Sequence, residues 1–469
     1  MKNSTIHILF YIACLVVSSC DDQLNMLPTQ VKVDGNLIVD QKSAEIALNG
    51  AYYRYAVCGL DNYNVPTTSC FNDFEIYPAQ FGGVLLYYQG AQPLESHALN
   101  ATSYYASGLW FDSYQSLYAA NGVISQMEAA PDGWFQSGRK TGIIGEARLL
   151  RAFTHYNLLR WFAQYYDYTS SYGALIRNEV AVTGNIAKDR STVKESYDAV
   201  LQDIDYAIEH CPESNAKYYL NKWVAKGLKA RVLMMRGQSG DYAQVVSLTT
   251  DILSNSPYQL EDKLQDIFYL KGLESQEVMF GIQPKEGQTR KMEAYYYRNV
   301  TQFYPTEKFL SLFDNDPRRE WLFTNNLITK YLHNDNPVAT LLEEVNYQMR
   351  LTEFYLLKAE ALVLTGGDKN EVRALLKDVM ATAGITDLSA VDKATSDNDL
   401  LSLIFEETLK NLFCESGREL EIMMRMPKSI VQPFNSFCDA PDVMILPIPA
   451  EEFKQNPVLS QQNPGYSKE

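Results

Sequence analysis

The chain contains 469 residues, carries a formal net charge of −16 and includes 32 tyrosines. So acidic a chain lacks the basic surface that neutralises phosphate groups, which argues against nucleic-acid binding and against polybasic attachment to a membrane. The length is sufficient for a large hydrophobic core that needs no disulfides or metal ions to hold it together.

The N-terminus has the pattern of a lipoprotein signal. Lys2 precedes an apolar run that leads into Val17-Ser18-Ser19-Cys20. The run covers about ten residues, well short of the ~20 that a membrane-spanning helix requires. Residues 1–19 are therefore interpreted as a cleaved signal peptide, although an ordinary secretory peptide with an incidental cysteine has a similar pattern. In the lipoprotein interpretation Cys20 becomes the first residue, and its acyl chains hold the protein on a membrane outside the cytoplasm.

Helical periodicity dominates the chain after a polar spacer at 21–40. In the strongest case apolar residues recur at intervals of three and four from Leu149 to Ala163. Ser191 or Thr192 is suited to cap a later helix. The pattern predicts helices at 40–55, 110–129, 141–165 and 193–209.

Two later segments have the pattern of helical hairpins. The first joins helices at 222–236 and 242–254 through a glycine-containing turn, and the second joins helices at 353–364 and 371–383. Each unit has about the 34 residues of a tetratricopeptide repeat, and small residues stand where paired helices approach closely. Stacked repeats of this kind form a concave protein-binding surface.

Three segments lack helical periodicity. Residues 58–106 are rich in glycine, proline and aromatic residues and are predicted to form a long irregular insertion. A short strand is expected at 277–282, followed by a loop at 284–304. The tail at 444–449 carries two prolines beside apolar residues, which excludes a helix and predicts an extended segment packed into the body.

The cysteines do not form a recognisable framework. Apart from Cys14 in the signal and Cys20, the chain contains Cys58, Cys70, Cys211, Cys414 and Cys438. An odd number without a CxxC pair argues against a disulfide scaffold or a zinc site, so these residues are expected to be small buried hydrophobic side chains. Pairing of the first two across a loop stays open.

No arrangement of residues indicates catalysis. The chain has no HExxH, GxSxG, GxGxxG or phosphate-binding glycine motif, and its histidines are scattered. His155 lies within a packed helix and is expected to be a core residue. Asp314 and Asp316 are too loosely spaced to predict a calcium site. The sequence therefore predicts a protein that is not an enzyme and has no cofactor, and it assigns no metal ligands, while calcium binding stays open.

Several short motifs follow one another along the whole chain. Beyond Cys20 and its acidic neighbours they are Asn49-Gly50-Ala51-Tyr52, Leu117-Tyr118-Ala119-Ala120-Asn121, Gly145 to Phe153, Asp316-Pro317-Arg318, Glu353 to Ala361, Leu446-Pro447-Ile448-Pro449 and Gln462-Asn463-Pro464-Gly465-Tyr466. In these motifs and in their order, the chain resembles the SusD/RagB family of outer-membrane lipoproteins from end to end. It departs from the family pattern at Thr408-Leu409-Lys410 and at Glu419 to Ile422, where local packing is expected to differ.

The resemblance implies a mainly α fold in which tetratricopeptide-like hairpins form a scaffold and a loop-rich side faces the ligand. It divides the mature chain into an N-terminal region at 20–215 and a C-terminal region at 216–469 within one compact superdomain. It also implies a lipid-anchored, surface-exposed protein of the outer membrane. Such a protein captures oligosaccharides and acts as the lid of a SusC-like TonB-dependent transporter.

The ligand residues are predicted from location, because the ligand-facing loops of this family vary. The loops at 60–105 and 285–304 match its ligand-facing side, and a tyrosine ring can stack on a sugar while its hydroxyl makes a hydrogen bond. The candidates are Tyr87, Tyr88, Tyr295, Tyr296 and Tyr297. For each of them, packing of the loop against the scaffold is the alternative.

Two other functions stay open. The acidic composition would suit capture of cationic peptides by the same kind of transporter lid, and this binding would depend strongly on salt. The repeats alone would also suit a structural scaffold for other envelope proteins, which would bind partners but no small ligand.

Overall fold

The computed structural model describes residues 37–57, 72–283, 291, 295–297, 300–325, 327–331, 342 and 344–469. The helices are α1 (Gln41–Ala56), α2 (Tyr77–Phe81), α3 (Tyr104–Ala129), α4 (Arg139–Phe162), α5 (Val193–His210), α6 (Lys222–Arg236), α7 (Asp241–Asn255), α8 (Leu264–Asp266), α9 (Glu307–Ser311), α10 (Arg319–Leu322), α11 (Leu351–Leu364), α12 (Lys369–Thr382), α13 (Ser389–Lys393), α14 (Asp397–Leu412), α15 (Arg418–Arg425), α16 (Lys428–Val431) and α17 (Ala450–Gln455). The strands are β1 (Leu85–Tyr87), β2 (Val278–Ile282), β3 (Tyr296–Tyr297), β4 (Val300–Thr301), β5 (Phe303–Pro305), β6 (Phe323–Thr324), β7 (Leu327–Ile328) and β8 (Asn346–Arg350). The prediction of a mainly α fold is confirmed.

The long helices pack on one another largely in chain order. The contacts run from α1 through α3, α4, α5, α6 and α7 to α11, which also packs on α12 and α14. Both predicted hairpins are present, as α6–α7 and as α11–α12. Gly237 ends α6 with a φ of +60°, a left-handed conformation that glycine adopts without strain.

Side-chain caps explain why several helices begin where they do. Thr192 accepts a hydrogen bond from the amide of Glu195, and the Glu195 side chain accepts one from the amide of Thr192. Asp40 and Ser43 form the same reciprocal box at the start of α1. Each box satisfies amides that have no partner within the helix. The predicted cap at 191–192 is therefore confirmed at Thr192.

The segments predicted as loops contain short elements. Residues 72–76 form a π-helix, followed by α2 and β1, and α3 begins at Tyr104, six residues before the predicted start at 110. Residues 284–304, predicted as a loop, contribute β3, β4 and the first residues of β5. Strands of two or three residues are too short for an alternating pattern to be visible, which is why periodicity missed them.

The tail packs into the body as predicted. Ile445, Leu446 and Ile448 are buried. The Leu446 amide donates to the carbonyl of Trp161 (2.6 Å), and the Asn463 side chain donates to the carbonyls of Phe162 and Leu446. The extended tail thus closes over the end of α4.

Charged residues of the long helices are held in buried ion pairs. In α4, Glu146 pairs with Arg139 at 2.8 Å and Arg151 pairs with Asp203 at 2.7 Å. Between the two halves of the chain, Arg160 pairs with Glu421 at 2.8 Å. In the family motif at 145–153, Glu146 and Arg151 are both buried, and the pair between Arg151 and Asp203 joins α4 to α5.

Several residues with reactive side chains lie in the core. Cys211 and Cys414 are buried free thiols, and Cys438 is a partly buried one. Cys20, Cys58 and Cys70 lie outside the described residues. His155 is fully buried and accepts a hydrogen bond from the Arg177 amide (3.1 Å); burial lowers its pKa to about 3. His155 is therefore a neutral core residue, as predicted.

Two helical glycines lead to opposite predictions. A Cβ at Gly122 in α3 would meet no atom within 4 Å, whereas one at Gly227 in α6 would lie 2.5 Å from Phe354 and 2.7 Å from Met349. Gly122→Ala is expected to raise the free energy of unfolding by about 0.5–1 kcal/mol, because alanine loses less backbone entropy in a helix. Gly227→Ala is expected to lower it by about 1–3 kcal/mol through overpacking. Urea unfolding measures both, and equal effects would contradict the packing described for α6.

Candidate ligand-facing surface

Two strands that lie far apart in sequence form the base of the candidate site. β1 pairs antiparallel with β5, so that Leu85 faces Pro305, Leu86 faces Tyr304 and Tyr87 faces Phe303. The amide of Tyr88 extends the ladder by donating to the carbonyl of Gln302 (2.9 Å). The pairing joins the two segments in which the candidate tyrosines were predicted.

Aromatic rings cover this strand pair. The ring centroids of Tyr87 and Tyr88 lie 4.9 Å apart in an edge-to-face arrangement, and those of Tyr87 and Phe303 lie 5.6 Å apart. Tyr88 is 38% exposed, while Tyr87 and Phe303 are half-buried. Aromatic rings that remain this accessible offer flat apolar faces to a ligand. Partial burial and the neighbouring Tyr88 raise the pKa of Tyr87, so its hydroxyl stays protonated.

The start of α3 extends the aromatic cover. Tyr104 is 71% exposed, and its ring centroid lies 6.0 Å from that of Tyr105, which contacts Tyr77 at 5.2 Å. Burial raises the pKa of Tyr105, and the proximity of Glu95 and Tyr87 adds to the effect. The rings of Tyr87, Tyr88, Tyr104, Tyr105 and Phe303 are here called the β1–β5 aromatic surface.

The half-buried carboxylate of Glu95 braces the loop that carries Tyr88. Glu95 accepts hydrogen bonds from the amide of Tyr87 (2.6 Å), from the side chain of Gln80 (2.9 Å) and from the amide of Gln92. Gly90 makes the turn between them with a φ of +102°, which favours glycine. A carboxylate that holds two backbone amides fixes the position of Tyr87 before a ligand arrives.

Tyr295 does not lie on this surface. It is only 1% exposed, its hydroxyl donates to Glu75 (3.3 Å) and its carbonyl accepts from the amide of Gln302 (2.8 Å). Its ring contacts Phe303 at 6.3 Å and so supports β5 from behind. The expectation that Tyr295 faces a ligand is corrected by this burial.

The other two candidates are described through their backbone. Tyr296 pairs with Thr301 and Tyr297 pairs with Val300, which places both at the same corner as β5. Their side chains lie outside the described part of the structure. They stay candidates by position.

Two contributors to the surface were not predicted as ligand residues. Phe303 lies at the end of a segment interpreted as a loop, and Tyr104 stands six residues before the predicted start of α3. The Tyr104-Tyr105 pair beside a helix start was a usable signal for the second. No local signal marked Phe303, because its exposure depends on pairing with a strand more than 200 residues away.

Two kinds of feature, a metal-binding cluster and a membrane-spanning helix, are absent from the residues that the structure describes. Within them, no cluster of three or more histidine, cysteine or acidic side chains is arranged to hold a metal ion. Across the same residues, no helix combines the length and the apolar character needed to cross a membrane.

Comparisons with known proteins agree with the family that the sequence motifs resemble. A family profile described as "Starch-binding associating with outer membrane" matches residues 85–234, and the profile of the SusD family matches residues 308–425. A SusD-like protein of Bacteroides ovatus is 26% identical over 185 residues, which is 38% of this chain. The match spans only 32% of that relative's length.

Solved structures share the fold over nearly the whole chain. A SusD superfamily protein of Bacteroides thetaiotaomicron superposes with a TM-score of 0.75 at 21% identity, covering 91% of this chain and all of that structure. A putative sugar binding protein of Bacteroides vulgatus has a TM-score of 0.73 at 20% identity, covering 92% and 100%. The fold is that of a SusD-type helical protein. The chain belongs to the SusD/RagB family.

Proposed function

We propose that this protein is a carbohydrate-binding lipoprotein of the outer membrane that captures oligosaccharides on the β1–β5 aromatic surface and passes them to a SusC-like TonB-dependent transporter. The observation that carries the proposal is the group of accessible rings at Tyr87, Tyr88 and Phe303, held on a strand pair whose position is fixed by Glu95. Sugar rings expose C–H faces that stack on aromatic side chains. Family membership supports the role of the site without naming the sugar.

Polar groups beside the rings suit sugar hydroxyls. The side chain of Gln89 donates to the Tyr88 hydroxyl (2.6 Å). The side chain of Gln92 donates to the carbonyl of Gly90 (3.3 Å). Gln89 is exposed and Gln92 is half-buried, and the side-chain oxygen of each has no protein partner among the described residues. Rings with adjacent amides are the combination expected of a surface that binds neutral sugars rather than one that performs chemistry.

The double variant Tyr87→Ala/Tyr88→Ala is expected to weaken oligosaccharide binding about 10- to 100-fold, since a central aromatic contact contributes on the order of 1–2 kcal/mol. Glycan-array screening with the purified chain identifies the ligand, and isothermal titration then measures the affinity. Tyr218→Ala is a matched control, because Tyr218 is 51% exposed and packs on Tyr219 at 4.8 Å. Equal affinities of the double variant and the wild type would rule out this surface.

Salt dependence separates sugar from peptide capture. The net charge of −16 favours cationic peptides over anionic ones. Peptide binding would weaken steeply as ionic strength rises, whereas binding of a neutral sugar would hardly change.

The lipid anchor is tested at Cys20. Cys20→Ser is expected to abolish acylation and to release the protein from the membrane, because no other segment is proposed to anchor it. Labelling of cells with an alkyne-bearing fatty acid, followed by membrane fractionation, measures both effects. Cys14→Ser is the control, since Cys14 lies within the predicted signal peptide. Membrane retention of the Cys20 variant would show that another anchor exists.

A further inference from the structure

A second concave site lies on the outer face of α3. It is a cleft of about 320 Å³ between α3, the segment at 177–186 and α17. Trp110 and Tyr114 form its base, and Phe111 and Tyr118 stand at its rim. The volume falls at the lower end of the range for small-molecule sites, about 300–1,000 Å³.

Hydrogen bonds tie the three walls together. The indole of Trp110 donates to Glu452 (3.1 Å), which joins α3 to α17. The Tyr114 hydroxyl donates to the carbonyl of Leu175 (2.8 Å), and the Asn121 side chain donates to the carbonyls of Arg177 (2.9 Å) and Glu179 (3.1 Å). The cleft is therefore formed before any ligand binds, which lowers the entropic cost of binding.

Other side chains in the cleft are exposed or make no hydrogen bond within the described residues. Phe111, Tyr118 and Ile186 are each more than half exposed, at 54%, 56% and 56%. Among the described residues, no hydrogen bond is formed by the side chain of Gln115, the carboxylate of Glu179 or the hydroxyl of Tyr118. An amide, a carboxylate and a phenol thus converge on a space rimmed by aromatic rings.

The charges in the cleft define the class of ligand. Glu179 and Glu452 both line it, and the guanidinium of Arg177 is engaged with the carbonyls of Asn185 (3.2 Å) and Ile186. Two carboxylates against one guanidinium leave the lining with a net negative charge, which disfavours uronic acids, phosphates and sulfated sugars. Accessible aromatic faces with free amide and carboxylate acceptors match a neutral saccharide.

We infer that the cleft between α3, the segment at 177–186 and α17 binds a neutral saccharide of one or two rings, as a site separate from the β1–β5 aromatic surface. The cleft and the β1–β5 aromatic surface share no residue. Tyr104, Phe111 and Tyr118 follow each other at intervals of seven on α3, so they lie on one face with about 10 Å between neighbours. This row runs from the first surface to the cleft, but binding in the cleft does not require the first surface to function.

The test is saturation-transfer NMR on the purified chain with millimolar maltose, cellobiose, xylobiose, mannobiose and N,N′-diacetylchitobiose, and with digalacturonate as the anionic comparison. At least one neutral disaccharide is expected to bind, and Phe111→Ala/Tyr118→Ala is expected to weaken that binding at least about tenfold. Both side chains are exposed, so an unchanged unfolding midpoint is expected and checked. Tyr87→Ala/Tyr88→Ala removes two rings of the first surface, and the disaccharide binding that remains in this variant is expected to be lost when Phe111→Ala/Tyr118→Ala is added.

Four outcomes would overturn the inference. The first is that no neutral disaccharide shows saturation transfer from the protein, and the second is that Phe111→Ala/Tyr118→Ala binds as the wild type does. The third is that digalacturonate binds more strongly than the neutral disaccharides. The fourth is that Tyr87→Ala/Tyr88→Ala by itself abolishes binding. The last outcome would place the sugar on the first surface only. Loss of a co-purifying transporter in Phe111→Ala/Tyr118→Ala, with no change in sugar binding, would instead assign this face of α3 to a protein contact.

Discussion

Arg350→Met is expected to lower the free energy of unfolding by about 3–5 kcal/mol, because it leaves a buried carboxylate without its cation. The guanidinium of Arg350 is buried and bonds to both oxygens of Glu415 (2.6 and 3.0 Å), to Glu277 and to the carbonyl of Asn411 (2.9 Å). Glu415 keeps Lys330 at 2.6 Å after the substitution. Glu277 is fully buried and, within the part of the chain that the structure describes, keeps only neutral partners, such as the Thr352 hydroxyl at 2.6 Å.

The lowered pKa of Glu415 agrees with its contacts to Arg350 and Lys330. Burial alone would raise the pKa of Glu415, but the charges of Arg350 and Lys330 outweigh burial and lower it. Methionine preserves the length of the aliphatic stem, so the variant tests the charge more than the packing. Guanidinium unfolding followed by circular dichroism measures the change.

Lys194→Met is the matched control for Arg350→Met. Lys194 also pairs with a carboxylate, Asp198, but the two side chains are 60% and 47% exposed. Water screens such a pair, so its loss is expected to change the free energy of unfolding far less than the loss of the Arg350 guanidinium. A similar loss of stability in the two variants would contradict the network described around Arg350.

The helical scaffold could be predicted from the sequence because its signals are local. The apolar spacing within 141–165, the glycine after Arg236 and the capping pair at Thr192 and Glu195 each act within a few residues. Local signals predict element type well and element ends less well. The start of α3 was missed for this reason: Gly108 weakens the helical pattern between Tyr104 and Trp110.

The candidate site could be predicted only in part. Aromatic richness pointed to the two correct segments, which β1–β5 pairing then joins. Which ring faces outward depends on contacts between distant residues, as Tyr295 shows through its bond to Glu75, 220 positions away. The cleft on α3 depends on the same kind of contact, since α17 closes it more than 300 residues after Trp110. Composition and periodicity carry no information on such pairings.

Glu419 is expected to make the protein less stable as pH rises. It is fully buried, and neither carboxylate oxygen has a hydrogen-bond partner among the described residues. Burial raises the pKa of Glu419 from its ordinary value of 4.5 to about 7, although the charges of Lys330 and Arg418 act in the opposite direction.

The sign of the effect follows from proton binding. Below pH 4.5 the carboxyl is neutral in the folded and in the unfolded chain, and its full contribution to stability is present. Between pH 4.5 and about 7 the unfolded chain loses the proton first, so the free energy of unfolding falls as pH rises. A difference of this size corresponds to about 3 kcal/mol lost above pH 7.

Glu419→Gln is expected to remove this fall, because the amide does not ionise. The measurement is urea unfolding between pH 4.5 and 8. The free energy of unfolding is expected to fall less over this range in the variant than in the wild type, so that the two curves diverge as pH rises. Burial also raises the pKa of Glu75 to about 7, but Glu75 is present in both proteins and its contribution cancels. Glu274→Gln, at an exposed glutamate, is expected to leave the pH dependence unchanged. Parallel curves for Glu419→Gln and wild type would show that Glu419 is not held neutral by burial.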